Sequence, residues 1–266
     1  MKDILAEIVA YKRTVVATAK QQRPVQALEN EPLFNRAGLS LVDFLKQPQK
    51  SGIIAEYKRR SPSKGVINDH SPVEEVTQAY ANAGASGLSI LTDDHFFGGS
   101  PEDLTQARAL VEVPILRKDF IVDEYQVLEA KAIGADVILL IAECLTKEEV
   151  QRLSTTAHNL GLEVLLEMHT EAQLQKVSDY VNMVGINNRD LVTFRVDIDR
   201  SIALAAQLPA GKVKVAESGI DNIDTIITLR NAGFSGFLMG EHFMKQKDPG
   251  AAFLDFVNAL AQKKAR

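Results

Sequence analysis

Gly52-Ile53-Ile54-Ala55-Glu56-Tyr57-Lys58 decides how this chain is read: a short, β-rich apolar run that begins at a glycine and ends in charge. Runs of this length and composition read as strands. From this point the pattern repeats: an apolar run, a loop with polar or glycine residues, then a helical stretch. The runs after Ile53 to Tyr57 are Leu88 to Leu91, Pro114 to Leu116, Asp136 to Ile141, Glu163 to Leu166, Asn182 to Ile186, Val213 to Ala216 and Gly236 to Met239. They recur every 20 to 35 residues or so, roughly what a strand, a crossover helix and two loops occupy.

The intervening helices are expected over Pro72 to Ala83, Pro101 to Leu110, Asp123 to Ala132, Thr146 to Asn159, Glu171 to Val177, Ser201 to Leu208, Asn222 to Asn231 and Gly250 to Lys263. Several stop at a glycine C-cap, as in Ala83-Gly84-Ala85 and Ile133-Gly134-Ala135. Near-continuous apolar strands covered by helices indicate a parallel sheet, and eight such units without a break in composition indicate closure. The fold expected is a single (β/α)8 TIM barrel of the α/β class. The alternative, an open doubly wound sheet, lacks the Gly-x-Gly-x-x-Gly turn after its first strand.

Working outward, Ile4 to Ala19 carries apolar residues at Ile4, Leu5, Ile8, Val9, Val15 and Val16, close to the recurrence of an amphipathic helix. A polar segment with Pro24 and Pro32 follows, then an apolar patch from Leu39 to Leu45. Residues 1–51 therefore read as an N-terminal helical cap on a barrel spanning 52–266, one domain in all.

The 266 residues suit one such barrel, and 45% hydrophobic with 24% charged residues can bury a full core. A net charge of -5 argues against a nucleic-acid partner, which needs a concentrated basic surface. Cys144 is the single cysteine, so no intrachain disulfide forms, which favours the cytoplasm. Charges break up the first ten residues, and no apolar run approaches the roughly 18 residues of a membrane span. Neither export nor a membrane association is expected.

Barrels of this type carry their chemistry where the strands end. Here the ends read Glu56-Tyr57-Lys58, Lys118-Asp119-Phe120, Glu167, Asn187-Asn188-Arg189, Glu217-Ser218-Gly219 and Gly240-Glu241. Glu56 and Lys58 are two apart, so strand periodicity puts both on one face. Alone, they would serve equally as a buried ion pair fixing register. With Lys118 and Glu167 at the same rim, proton transfer explains the cost better, because it needs titratable groups of both kinds.

Lys118 lies between an apolar strand and Phe120, an environment expected to depress its pKa; the alternative is a salt bridge to Asp119. Glu167 closes Val164-Leu165-Leu166 and is a candidate base, or else an inter-strand ion pair. The loops after strands seven and eight are where many barrels hold phosphate, so Glu217-Ser218-Gly219 and Gly240-Glu241 point to a phosphorylated small molecule. The histidines at 70, 95, 158, 169 and 242 show no metal-ligand spacing, and nothing in the chain calls for a metal or a cofactor. There is no Gly-x-Ser-x-Gly elbow for a hydrolase.

Together these segments resemble the indole-3-glycerol phosphate synthase family. Ile54-Ala55-Glu56-Tyr57-Lys58-Arg59-Arg60-Ser61-Pro62-Ser63-Lys64-Gly65 is similar to its first-strand signature. Leu91-Thr92-Asp93, Phe96-Phe97-Gly98-Gly99-Ser100, Leu116-Arg117-Lys118-Asp119-Phe120, Gly185 through Leu191, Ala216-Glu217-Ser218-Gly219-Ile220 and Leu238-Met239-Gly240-Glu241 follow in the family's order. The resemblance implies decarboxylating ring closure of 1-(2-carboxyphenylamino)-1-deoxyribulose 5-phosphate.

By that resemblance Lys118 is the general acid, Glu167 the base of the later dehydration, Lys58 a charge clamp or second proton donor, and Glu56 tunes both. Asn187 orients substrate hydroxyls, Arg189 pairs with an anionic group, and Ser61 seats the anthranilate carboxylate. Ser218, Gly219, Gly240 and the Glu241 backbone hold phosphate, beside Glu217. Phe96, Phe97 and Phe120 are candidate apolar walls, or else packing at the barrel top. Some relatives carry serine where this chain has Glu241, so the carboxylate there is expected to point away from the phosphate. Other tryptophan-pathway enzymes are the partners such a resemblance suggests. Phosphate-binding isomerase barrels are the nearest rival, and a non-catalytic phosphosugar-binding barrel is a rival of another class.

Overall fold

The computed structural model describes residues 4–189 and 195–264. Asp190 and Leu191, the end of the sixth motif, lie outside the described residues, as do Met1 to Asp3.

Eight parallel strands form the barrel: β1 (Ile53–Tyr57), β2 (Gly87–Leu91), β3 (Ile115–Lys118), β4 (Val137–Ile141), β5 (Glu163–Met168), β6 (Met183–Asn187), β7 (Val213–Glu217) and β8 (Gly236–Met239). Each pairs with its sequence neighbour, and β1 also pairs with β8, Ile54 opposite Leu238, which closes the ring. The expected TIM barrel is the fold observed.

Period-two alternation sorts the side chains into two cores. Ile54, Leu116, Val137, Leu139, Leu165, Met183, Val215 and Leu238 fill the barrel interior. Ile53, Ala55, Ile115, Ile138, Val164 and Phe237 face outward onto the helices. On β1 this alternation sends Glu56 inward, in line with Ile54.

Four strands run further than their apolar residues suggest. β3 reaches Lys118, β5 reaches Met168, β6 reaches Asn187 and β7 reaches Glu217, because the ladder hydrogen bonds continue past the apolar run. Thr92 N–H donates to the Lys118 carbonyl at 3.1 Å, Ala142 N–H to that of Glu167 at 2.9 Å and Asn188 N–H to that of Glu217 at 2.8 Å. These polar residues are thus held on strands, not on loops.

The segment before β1 covers both ends of the barrel. Helix Ile4–Gln22 buries Ile8, Lys12 and Val16, one face at four-residue spacing. Lys12 reaches Asp93 at 2.7 Å and Asp119 at 2.8 Å, which fastens the helix beside the C-terminal ends of β2 and β3. At the opposite end, helix Leu41–Lys46 inserts Leu41 and Leu45 into the interior core. Glu163, at the start of β5, accepts from Leu41 N–H at 2.8 Å and Val42 N–H at 3.1 Å and so neutralises that helix's N-terminus.

Two connections differ from expectation. The stretch after β5 is a 3-10 helix, Glu171–Lys176, tied down by Lys176 Nζ to the carbonyls of Ala142 and Leu145 at 2.7 and 2.8 Å. The helix after β6 starts earlier, at Ile198, because Asp197 caps it through Arg200 N–H at 2.9 Å. Among the described residues no helix is long and apolar enough to cross a membrane.

Candidate active site at the C-terminal mouth

The residues that the sequence singled out for the site, Phe96 excepted, border one cavity of about 290 Å³ at the C-terminal ends of the strands: Glu56, Lys58, Ser61, Lys118, Phe120, Glu167, Asn187, Arg189, Glu217, Ser218, Gly219, Gly240 and Glu241.

Glu56 is the electrostatic centre. Its Oε1 accepts from Lys58 Nζ at 2.6 Å, its Oε2 from Ser89 Oγ at 3.3 Å, and Lys118 Nζ stands 3.6 Å from that second oxygen. Burial would raise its pKa, but the two ammonium groups outweigh burial and bring it down to about 2. Gly240 makes this possible: a Cβ there would lie 2.7 Å from Glu56 Oε1, so any other residue would push the carboxylate aside.

Lys118 faces three carboxylates. Burial penalises its ammonium, yet Glu56, Glu217 at 3.9 Å and Glu167 more than compensate, so its pKa is raised above the ordinary lysine value. This corrects the expectation of a depressed pKa. The sequence showed Phe120 and Lys58 nearby, while the carboxylates that dominate come from strands distant in the chain. Asp119 is not the partner of Lys118 either, because alternation turns it outward to Lys12 and to Arg117 at 3.2 Å.

Glu167 and Glu217 have opposite electrostatics. Burial raises Glu167, but Lys118, His169 and the amide of Asn187, whose Nδ2 donates to Oε1 at 3.0 Å, lower it on balance. Glu217 is pushed well up by burial and by the charge of Glu167, with Lys118 only partly opposing. The pair thus carries an ionised Glu167 beside a Glu217 that retains its proton. Gly185 leaves room for it: a Cβ there would come within 1.9 Å of Glu217 Oε1.

Opposite the charges lies a turn after β7. Ser218 and Gly219 both adopt left-handed backbone, φ 65° and 67°, and Asn188 Nδ2 holds the Ser218 carbonyl at 2.9 Å. For serine that conformation costs about 1 kcal/mol or more, a strain that clusters at functional turns. After β8, Gly240 precedes a short helix, Glu241–Met244. The Glu241 carboxylate pairs with Lys64 of the first loop at 3.4 Å. Phe97 and Phe120 line the cavity with ring centroids 6.1 Å apart, whereas Phe96 packs edge-on to Tyr11 of the N-terminal helix.

Sequence reasoning missed two sets of lining residues. Ile4, Leu5 and Ile8 of the first helix border the cavity, held there by Lys12. The available signal was a lysine on the apolar stripe, midway between Ile8 and Val16. His169 also borders the cavity, and the clue was its position two residues beyond Glu167, just past the end of β5.

A sequence model of the indole-3-glycerol phosphate synthase family matches residues 5–256. The indole-3-glycerol phosphate synthase of Bacteroides thetaiotaomicron is 50% identical over 260 residues, 98% of this chain and 100% of that protein. That of Burkholderia vietnamiensis is 44% identical over 259 residues, covering 95% and 98%. Among solved structures, thiamine phosphate pyrophosphorylase from Pyrococcus furiosus superposes with a TM-score of 0.59 at 16% identity, covering 84% of this chain and 98% of that one, a likeness of fold alone. A family match over nearly the whole chain, with close relatives covered end to end, decides against the isomerase barrels: the chain belongs to the indole-3-glycerol phosphate synthase family.

Proposed function

We propose a division of labour at this mouth for the family's reaction. That reaction is the decarboxylating ring closure of 1-(2-carboxyphenylamino)-1-deoxyribulose 5-phosphate to indole-3-glycerol phosphate, carbon dioxide and water in tryptophan biosynthesis. The observation that carries the proposal is two ammonium groups sharing one buried carboxylate, Lys58 and Lys118 on Glu56, opposite the ionised Glu167.

Lys118, kept protonated by its carboxylates, donates a proton to the substrate carbonyl oxygen as the aromatic carbon attacks it. Carbon dioxide then leaves and restores the ring. Glu167 takes a proton in the dehydration that follows, while Lys58 gives one to the departing hydroxyl, which leaves as water. Glu56 holds both lysines in place and charged. Asn187, with one amide proton on Glu167, has its second for a substrate hydroxyl.

The turn at Ser218 and Gly219 and the helix start at Gly240 and Glu241 hold the phosphate through backbone N–H groups, which makes its binding energy available to align the reacting atoms. Glu217, with its proton retained, borders that end. Arg189 and Ser61 receive the carboxylate end, and Phe97, Phe120, Ile4 and Ile8 enclose the aromatic ring. We read the extension and barrel as one domain working together. The single cysteine supports a cytoplasmic setting, and enzymes that supply or consume these intermediates are the partners the reaction invites.

Purified protein given the carboxyphenylamino-deoxyribulose phosphate without added metal or cofactor is expected to form the fluorescent indole product. Absence of product under conditions where a reduced substrate analogue binds would overturn the catalytic reading and leave a phosphate-binding barrel.

A further inference from the structure

His169 follows Met168, the last residue of β5, two residues beyond Glu167, and borders the cavity. It is 7% exposed, and neither ring nitrogen has a hydrogen-bond partner. Nε2 stands 3.6 Å from Glu167 Oε1, just outside hydrogen-bond range. Leaving a buried polar atom unpaired costs about 1 to 3 kcal/mol, so packing alone gives no reason for a histidine here.

The backbone around it is fixed. His169 N–H donates to Gln173 Oε1 at 2.7 Å, and Gln173 in turn donates to Glu143 beyond β4. The ring is therefore presented to the cavity from a rigid support. The charged and hydrogen-bonding groups on the surrounding strands and the loops that follow them are Lys118, Glu143, Asn187, Arg189 and Glu217, besides Glu167 itself. Of these, Asn187 already donates to Glu167 Oε1, the oxygen that His169 approaches.

We propose that His169 is a positioning residue for Glu167: its Nε2–H closes onto Oε1 when substrate fills the cavity, leaving Oε2 to take the proton. His169 and Asn187 then both hold Oε1, in addition to the hydrogen bond between Glu167 and Glu217, and together they fix the carboxylate plane. This rests on the reading of Glu167 as the base of the dehydration.

The test compares His169→Leu, His169→Gln, Glu167→Gln and the double variant His169→Leu/Glu167→Gln, each with its unfolding midpoint recorded. Loss of a hydrogen bond to a charged group predicts a kcat lower by roughly 10-fold or more in H169L with KM little changed. The acid limb of its kcat profile should move to higher pH, because the ionised Glu167 has lost a donor. H169Q, which can offer an N–H near the same place, should recover most of the loss, and H169L should cost nothing further in the E167Q background.

An H169L enzyme at the wild-type rate, or one that loses as much in the E167Q background, would overturn the proposal while the base reading stands. A wild-type rate in E167Q alone would overturn the base reading and the proposal with it. Should H169L fail to fold, H169Q against His169→Asn decides: the shorter amide falls short of Glu167, so equal rates would count against a donor role.

Discussion

The chemistry of the mouth rests on a few charges whose partners are set by strand alternation. Lys118 and Asp119 are neighbours in the chain, yet one faces the cavity and the other the N-terminal helix. Replacing Lys118 by Met should lower turnover by roughly 100-fold or more while a reduced substrate analogue still binds, the pattern of a lost general acid. Unchanged turnover would remove it from the mechanism. The raised pKa of Lys118 adds that activity should not decline through its deprotonation at pH values below the ordinary lysine value of 10.5. Gly185 and Gly240 show the same economy of space: each is the absence of a side chain where a carboxylate must sit.

Among the elements, helix Ile4–Gln22 does more than cover the barrel. Lys12 binds two buried carboxylates, and the same helix carries Ile4, Leu5 and Ile8 to the cavity wall. Lys12→Met should therefore affect both stability and substrate affinity. Breaking a buried ion pair on one side costs about 3 kcal/mol or more, because the abandoned carboxylate stays buried. Asp119 keeps Arg117, so Asp93 bears most of this cost. Urea denaturation should show the loss, and KM should rise as the apolar wall loosens. A variant with unchanged KM would mean that the helix holds its place without this lysine. Helix Leu41–Lys46, fastened by Glu163 at the other end, bears on packing alone.

At the scale of the molecule, the site taxes the fold in two opposite pH ranges. Glu56 has a pKa near 2 in the folded chain against an ordinary 4.5, so its ionisation stabilises the fold above about pH 4.5, and this is lost as pH falls toward 2. The difference corresponds to on the order of 3 kcal/mol, readable as a declining unfolding free energy between those values. Glu217 has the opposite sign: its folded pKa is raised, so its contribution is present below about 4.5 and is lost as pH rises through the folded value. Glu217→Gln should thus stabilise the protein at neutral pH while lowering turnover, a trade of activity for stability. A less stable E217Q at pH 7 would contradict the assignment of the retained proton. By itself, the sequence determined the eight-fold alternation of strand and helix and pointed to the polar strand ends that border the cavity, because periodicity and strand-end polarity are local properties. The ends of β3, β5, β6 and β7 were read short, since ladder hydrogen bonds continue past the apolar runs that signal a strand. Only the tertiary structure decided which charges meet. It set Glu56 between Lys58 and Lys118, turned the expected depression of Lys118 into a rise, and brought Lys12 and His169 to the site, because closure of the barrel juxtaposes strands far apart in the chain and burial strengthens the interaction between the charges that meet there.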